Sequence, residues 1–288
     1  MTKRFGHLIY IPFTGVGLNG GYGGDDWFKR RIEVFKEFTL PSLLRQTSKQ
    51  FIVWVSFRPQ ERENPLTIDL EAYLKTKGIN FVMTFDGLMY FDDKFSQKPK
   101  DMAMNFARLL RQCWRNGNCK GLLNSSIEIF KGKNKTLKSR LSRSLAKIQR
   151  IFFGVDMMYV TRIDSDDMFH KEAIEEIQAE TREPGTALVY TKGYVYNAET
   201  REYAEWNPKT NPPFHTIIFN ERDFFDPWLY LKTMKGYRSH EDVPKAFKVK
   251  VLSDGKYCVV VHGKGNHIST VWNHPFKGAI VDKPVGFE

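Results

Sequence analysis

The chain lacks several features that would assign it at once to a large protein class. It has only three cysteines, Cys113, Cys119 and Cys258, and their spacing does not match a zinc site. An odd number of cysteines without zinc-ligand spacing predicts reduced thiols. No apolar run approaches the ~20 residues of a membrane-spanning helix, and residues 1–6 lead into a predicted strand without a signal-peptide pattern. We therefore expect a cytoplasmic protein, free or peripheral to a membrane.

Acidic side chains are also in short supply. The 288 residues include 44 Lys and Arg against 33 Asp and Glu, a formal net charge of +11. Such a surface favours polyanionic partners, namely nucleic acid, an anionic membrane or an acidic glycan. Apolar residues make up 41% of the chain, which excludes a disordered protein and predicts a substantial core.

Short apolar runs alternate with amphipathic segments along the first two thirds of the chain. The predicted strands are 7–14, 51–57, 80–85 and 157–163, and the predicted helices are 27–46, 70–77, 102–114 and 137–152. This alternation predicts an α/β fold in which a mostly parallel, twisted sheet carries helices on both faces. The later predictions are strands at 186–196 and 215–219, helices at 171–182 and 239–248, and a hairpin at 249–261. We expect a single domain, 1–288, with a basic helical insertion at about 115–150.

The most informative segment is 159–167, YVTRIDSDD, in which a predicted strand ends in the three carboxylates Asp164, Asp166 and Asp167. Like charges this close are unfavourable unless a cation or hydrogen-bond donors lie among them. Oxygen ligands at a strand end suit Mg²⁺ or Mn²⁺, which is usually shared with a phosphorylated substrate. The alternative is that the acids cap the helix that follows.

Ligands of open α/β sheets bind beyond the carboxyl ends of the strands. Thr14 ends the first predicted strand and Asp86 the third, so both are candidate ligand-binding residues. The loop 15–24 contains a GxGxxG pattern, formally a dinucleotide fingerprint, but the acid expected some 20 residues later is not at a strand end. We interpret the loop as a lid or as a place where the backbone approaches a ligand closely.

Four segments together resemble a known family. They are WFKRRIEVFKEFTLPSLLRQT (27–47), FIVWVSF (51–57), TRIDSDDMFH (161–170) and VVHGKGNHIST (260–270). On these residues the chain resembles a GT-A-fold glycosyltransferase, a nucleotide-diphospho-sugar transferase, and most closely the rhamnosyl transferase family. The resemblance covers most of the chain outside about 115–150. It implies that the Asp-x-Asp element holds a divalent cation against the diphosphate of a nucleotide-sugar donor.

The resemblance also implies a ligand set for that cation, Mn²⁺ or Mg²⁺. Asp164 would face the ribose or the metal, while Asp166 and Asp167 would face the metal. Similar enzymes add a late histidine, and neutral imidazole is a good Mn²⁺ ligand. His262 and His267 are the candidates here, and the alternative for each is an ordinary polar loop residue.

Further donor contacts follow from position. Similar transferases carry an acid at the end of the second strand, whereas this chain has Arg58 there, which could meet a phosphate instead. Arg162 flanks the acid cluster, and Lys264, between two glycines, could approach the diphosphate and offset leaving-group charge.

Inverting enzymes of this fold use a carboxylate at a helix start as general base, and the resemblance points to Asp242, with Glu241 second. A capping box formed by Ser239 and Asp242 is an alternative that is compatible with that role.

The segment from 131 to 150 carries eight Lys and Arg side chains and no acid. The apolar stripe of its predicted helix, Leu137, Leu141, Leu145, Ile148 and Phe152, would turn those cations outward. These cations form either a solvated helix face or a binding surface for a polyanion. The polyanion could be DNA with hydroxylated bases, which would have to be flipped out. It could also be an envelope glycan at an anionic membrane.

These observations predict a metal-dependent glycosyltransferase, inverting by analogy, that moves a sugar from a nucleotide-sugar to an acceptor hydroxyl. Two alternatives stay open. A carboxylate cluster also suits nucleotidyl transfer, and a basic nucleic-acid-binding protein without catalytic activity could use the acids as helix caps.

Overall fold

Two β-sheets form the frame of the molecule. In a computed structural model we describe residues 4–14, 24–85, 133–180, 183–237, 239–263 and 271–287, with the backbone alone for 133–140. The strands are β1 (Phe5–Pro12), β2 (Ile52–Ser56), β3 (Phe81–Thr84), β4 (Met157–Arg162), β5 (Met168–Phe169), β6 (Thr186–Val189), β7 (Gly193–Asn197), β8 (Glu202–Trp206), β9 (His215–Asn220), β10 (Lys248–Val251), β11 (Tyr257–Val261) and β12 (Lys277–Val281). The α-helices are α1 (Asp25–Val34), α2 (Leu40–Leu44), α3 (Pro65–Thr76), α4 (Lys133–Gln149), α5 (Ala173–Ala179), α6 (Glu221–Phe225), α7 (Pro227–Thr233) and α8 (Val243–Ala246).

The larger sheet confirms the predicted fold class. Its order is β10-β6-β9-β4-β1-β2-β3, and of these described strands β9 alone runs antiparallel to its neighbours. Alternate residues of β1 pack on opposite faces, as a strand requires. Ile9 and Ile11 join a buried cluster with α1, α2, α3 and α5, whereas Leu8 and Tyr10 join one with α4, α6, α7 and α8. The sheet therefore carries helices on both faces.

The smaller sheet, β12-β8-β7-β11-β5, corrects two predictions. The predicted strand 186–196 is two strands, β6 and β7, which belong to different sheets. The predicted hairpin at 249–261 is wrong, because β10 pairs parallel to β6 and β11 parallel to β7. The turn between β10 and β11 runs beside the connection between β6 and β7. The N–H of Leu252 donates to the carbonyl of Val189, and the N–H of Gly255 donates to the carbonyl of Lys192.

The first long helix changes its geometry ahead of Pro41. Residues Phe35–Thr39 form a π-helical segment between α1 and α2, in which the N–H of Leu40 donates to the carbonyl of Phe35. Pro41 has no N–H to offer, and its ring crowds the carbonyl of Glu37, four residues earlier. A widened turn accommodates both effects without ending the helix.

The basic segment forms a helix from Lys133 to Gln149, as predicted. Leu141, Leu145 and Ile148 are buried against the larger sheet, and Phe152 packs at the edge of the same cluster. The predicted helix 102–114 and residues 115–132 of the predicted insertion lie outside the described residues. Over the described part of the chain, no helix combines the length and apolarity needed to cross a bilayer.

Candidate functional site

The acid cluster lies in a turn at the carboxyl end of β4. The N–H of Asp167 donates to the carbonyl of Asp164 at 3.3 Å, and the chain then enters β5 of the second sheet. Asp166 and Asp167 are buried, while the Asp164 side chain is 26% exposed. The next helix, α5, begins only at Ala173 and has Glu172 at its N-cap. None of the three acids caps it, so this alternative is excluded.

Asp166 is the point at which three parts of the chain meet. A guanidinium nitrogen of Arg31, in α1, lies 2.6 Å from its Oδ2, and the Arg31 Nε donates to Ser165 Oγ at 2.7 Å. His262, directly after β11, places its Nε2 3.2 Å from the same Oδ2. Asp166 has no exposed surface. Its charge is therefore balanced by a cation from a distant helix.

Arg31 was not predicted from the sequence. A signal existed, because Arg31 follows buried Phe28 by three residues and so lies on the helix face that packs against the sheet. Nothing local, however, indicates that this face meets the acid turn.

Asp167 serves a different purpose from its neighbour. Its Oδ1 accepts from the N–H of Val260 at 3.1 Å, which fastens the turn to β11. Burial first, and then the charges of Asp166 and Asp164, raise the pKa of Asp167 well above its ordinary value. This carboxyl therefore resists ionisation and faces the backbone of the second sheet.

The described residues of the site do not form a complete metal cage. Across the described ranges, no three His, Cys, Asp or Glu side chains form a group that could hold a metal ion. Asp166 and His262 do converge, and a two-ligand pair fits a cation that takes its other ligands from substrate phosphates and water. Asp164 is engaged by Arg162 and Asp167 by Val260. His267 lies outside the described residues.

A second cation borders the turn. Arg162, at the end of β4, is almost fully buried and lies 2.6 Å from the Oδ1 of Asp164. Burial first, and then the charge of Arg162, lower the pKa of both His215 and His240. The charge of Asp164 also acts on His240, raising its pKa. Arg162 pairs across the sheet with His215 at the start of β9, and Asn211, just before β9, donates to the carbonyl of His240. The turn that carries His240 therefore lies at the same sheet edge as the acid turn.

That turn contains the predicted general bases. The predicted helix 239–248 is instead a 3₁₀ turn, His240–Asp242, followed by the short α8. Asp242 is 19% exposed at its side chain and lies 3.0 Å from Lys245, while Glu241 is exposed. Ser239 makes no side-chain capping bond, so the alternative of a capping box between Ser239 and Asp242 is wrong.

Asn211 holds this turn in place and was also missed. Its Nδ2 donates to the carbonyl of His240 at 2.9 Å, and the Nδ1 of His240 donates to the carbonyl of Asn211. A carbonyl only accepts, so Nδ1 carries the proton.

A separate polar group lies at the ends of β1 and β2. The hydroxyl of Thr14 donates to Glu61 at 2.8 Å, and the N–H of Arg58 donates to the same carboxylate oxygen at 3.0 Å. The Arg58 guanidinium also pairs with Glu61. Glu61 is buried and places a carboxylate at the ends of β1 and β2. Its spacing, three residues after Arg58, is that of a capping box and was the available signal.

The structure thus groups the predicted residues unevenly. The acid turn, Arg162 and His262 come together, with the Glu241–Asp242 turn on the same edge, while Thr14 and Arg58 form their own group. Asp86, Lys264 and His267 lie outside the described residues.

Comparisons with known proteins give a limited result. No family model and no curated protein matches the chain. Among solved structures, S. aureus TarS 1-349 in complex with UDP is 13% identical, with a TM-score of 0.40 over 90% of this chain and 60% of that one. Another structure of TarS 1-349 is 14% identical, with a TM-score of 0.41, and again 60% of it is spanned. The inositol-1-phosphate CTP transferase from T. maritima is 9% identical, with a TM-score of 0.33 over 90% of both chains. At these scores the fold rests on the sheets described above, and the resemblance to rhamnosyl transferases stays a prediction.

Proposed function

We propose that this protein is a glycosyltransferase that moves a sugar from a nucleotide-sugar donor to an acceptor hydroxyl. The observation that supports it is the convergence of Asp166, Arg31 and His262 at the carboxyl end of β4. A buried carboxylate, a guanidinium and an imidazole from three separate elements make a site of mixed charge at the edge where α/β folds bind ligands. Such a site suits a ligand that carries both phosphates and a cation.

The donor diphosphate would bind beside this cluster. Asp166 and His262 would hold Mn²⁺ or Mg²⁺, which would offset the charge of the departing diphosphate. Asp164, the partly exposed member of the turn, would face the ribose, and Lys264, two residues after His262, remains a predicted diphosphate contact. Arg162 fixes Asp164 for this role.

The acceptor would be activated from the 3₁₀ turn on the same edge. In an inverting transfer, Asp242, or Glu241 in second place, takes the proton of the acceptor hydroxyl. The oxygen bonds to the anomeric carbon as the bond to the diphosphate breaks. Asp242 is partly shielded from solvent, which suits a base held in a defined position. A rhamnosyl donor is the first to test, and DNA with hydroxylated bases or an envelope glycan are the acceptors to try.

The test is turnover of UDP-, GDP-, dTDP- and CDP-sugars with Mn²⁺ by the wild-type protein and by Asp166→Asn. We expect donor hydrolysis or transfer by the wild type and at least an approximately hundredfold loss in the variant. Asp254→Asn is the control, because Asp254 is an exposed acid paired with Lys192, and it should keep wild-type activity. Thermal melting confirms that both variants fold.

The same assay separates the alternatives. Pyrophosphate release from a nucleoside triphosphate would indicate nucleotidyl transfer instead. Full turnover in Asp166→Asn would show that the carboxylate of Asp166 takes no part in the reaction. The absence of turnover with every nucleotide-sugar would count against a glycosyltransferase.

A further inference from the structure

The imidazole of His240 is held in one orientation by two reciprocal hydrogen bonds. The side-chain amide of Asn211 donates to the carbonyl of His240 at 2.9 Å, and Nδ1 of His240 donates to the carbonyl of Asn211. The same amide also donates to the carbonyl of Pro212 at 3.0 Å, which fixes the Asn211 side chain in turn. In the neutral ring the proton is therefore on Nδ1, and Nε2 carries a lone pair whose direction is set by these bonds.

The surroundings of the ring keep it neutral. Burial first, and then the charge of Arg162, lower the pKa of His240. The carbonyl of Asn211 and the charges of Asp164 and Glu241 act in the opposite direction, but they do not reverse the shift. Arg162 is itself paired with Asp164, so neither of these two charges acts on the ring alone. His240 is therefore an uncharged hydrogen-bond acceptor at neutral pH.

Nε2 of His240 is the uncommitted nitrogen at this sheet edge. It makes no hydrogen bond with any residue that the structure describes, and the ring is partly exposed. By contrast, His215 is buried and its Nε2 lies 2.7 Å from the hydroxyl of Tyr237. Nε2 of His262 lies 3.2 Å from Asp166. Of these three imidazoles, that of His240 can accept a hydrogen bond from a ligand without breaking a contact within the protein.

The ring lies beside the groups that would carry out the transfer. His240 begins the 3₁₀ turn that ends at Asp242, the predicted base, and Asp164 of the acid turn is close enough for its charge to act on the ring. The bonds between His240 and Asn211 join residues 29 positions apart in the chain. The imidazole therefore gives this turn a fixed contact point for an acceptor.

We propose that Nε2 of His240 binds the acceptor by accepting a hydrogen bond from one of its hydroxyls, and that the acceptor is a sugar residue with at least two free hydroxyls. The inference rests on the proposed transferase function. The attacking hydroxyl has a single hydrogen, which passes to Asp242 as its oxygen bonds to the anomeric carbon and the bond to the diphosphate breaks. The bond to His240 therefore comes from a second hydroxyl. An ionised phosphate has no hydrogen to donate, and a hydroxylated base in DNA has one free hydroxyl, so the imidazole favours a glycan over DNA as the acceptor.

The test is a titration of the full chain, labelled with ¹⁵N in histidine, with methyl hexopyranosides. Accepting a hydrogen bond moves the resonance of a neutral imidazole nitrogen upfield, and the resonance of His240 is assigned by its absence in His240→Asn. We expect at least one glycoside to shift Nε2 of His240. We expect no shift with 2-methoxytetrahydropyran, which has the same ring and no hydroxyl. A purely structural role for His240 predicts no shift with either compound.

Two substitutions separate the roles of the two ring nitrogens. The shorter amide of His240→Asn can still donate to the carbonyl of Asn211 but has no atom at the position of Nε2, so this variant should bind the glycoside about tenfold more weakly. His240→Gln places an amide oxygen close to that position and should retain most of the affinity. The control is His274→Asn, because the ring of His274 packs against Trp206 and Phe276 beside β12, and it should bind as the wild type does. Thermal melting shows whether each variant is folded.

The outcomes of this test separate the inference from the transferase proposal. The inference is overturned if no glycoside shifts the Nε2 resonance, or if His240→Asn binds the glycoside as tightly as the wild type. It is also overturned if single-stranded DNA with hydroxymethylated cytosines shifts the resonance and no glycoside does. Glycoside binding through Nε2 without turnover of any nucleotide-sugar would refute the transferase proposal and leave His240 as a sugar-binding residue. Turnover by the wild type with an unchanged acceptor KM in His240→Asn would refute this inference alone.

Discussion

At the scale of single residues, the Arg31–Asp166 pair dominates the candidate site. Asp166 is fully buried and Arg31 is 16% exposed. Removing one partner of a buried ion pair leaves the other charge uncompensated, which costs about 3–5 kcal/mol. We therefore expect Arg31→Met to lower the free energy of unfolding by about 3 kcal/mol, measured by urea denaturation at neutral pH.

The neighbouring residue provides the control. Arg30 is exposed, and its Nε makes a long bond of 3.4 Å to the carbonyl of Asp26, so Arg30→Met should change stability by less than about 0.5 kcal/mol. The double variant Arg31→Met/Asp166→Asn should recover much of the loss, because no buried charge then remains unpaired. If Arg31→Met and Arg30→Met were equally stable, Arg31 would not be the group that neutralises Asp166.

His7 makes a residue-scale prediction about pH. The Nε2 of Gln178 donates to the carbonyl of Gln50, which identifies it as the amide nitrogen, and it also donates to Nδ1 of His7 at 3.0 Å. The Nε2 of His7 therefore carries the proton and donates to Thr161 Oγ1 at 2.7 Å. Burial lowers the pKa of His7 from 6.5 to about 3, so the folded protein holds a neutral imidazole.

The sign of the effect follows from linkage. The unfolded chain binds the proton below about pH 6.5 and the folded protein does not, so stability falls as the pH decreases through that value. Relative to His7→Gln, which has no such group, the wild type should lose about 2 kcal/mol of unfolding free energy between about pH 7.5 and about pH 5. His170, His215 and His240 titrate in both proteins and cancel in the difference. Parallel pH profiles would contradict the burial of a neutral His7.

Sequence reasoning at this scale found the acids and missed their partners. The carboxylates of the turn are adjacent in the chain, so their crowding is visible without a structure. Arg31 is separated from Asp166 by 135 positions, and Glu61 reaches Thr14 across 47. Only the packing of α1 and the parallel pairing of β1 with β2 bring these groups together, and neither leaves a local pattern.

At the scale of elements, the first four strands were predictable because each is a short apolar run between polar turns, as a strand buried on both faces must be. The points at which the chain crosses from one sheet to the other were not predictable from the sequence. Gly193 lies where the chain leaves the first sheet for the second, and a Cβ there would approach the carbonyl of Tyr257 to 2.5 Å. That close contact depends on β11 lying beside β7, a pairing between strands far apart in sequence.

The turn at Asp254–Gly255 also shows what a local sequence pattern can predict and what it cannot. Gly255 has a φ of +78°, so the local prediction of a tight turn is confirmed. The two strands that flank it nevertheless pair with β6 and β7 rather than with each other. Turn chemistry therefore predicted the position of the turn but not which strands become neighbours.

At the scale of the whole molecule, the two sheets hold the site's charges before any ligand arrives. The acid turn joins β4 to β5, His262 follows β11, and Arg31 comes from a helix on the face of the larger sheet. Because Arg31 already neutralises Asp166, a divalent cation alone gains little there. Under the proposed function, a cation that arrives with the donor diphosphate would bring negative charge that draws Arg31 away from Asp166, so the two ligands should bind cooperatively.

This cooperativity is measurable by thermal unfolding. Mn²⁺ alone should leave the wild-type melting temperature almost unchanged. Mn²⁺ with the matching nucleotide-sugar at about a hundredfold its dissociation constant should add about 2.7 kcal/mol to the unfolding free energy. In Arg31→Met, Mn²⁺ alone should raise the melting temperature, because the Asp166 carboxylate then lacks the guanidinium that neutralises it. If Mn²⁺ alone stabilised the wild type as much as the two ligands together, Arg31 would not be the group that links cation binding to the donor, and the site would have to bind its metal independently.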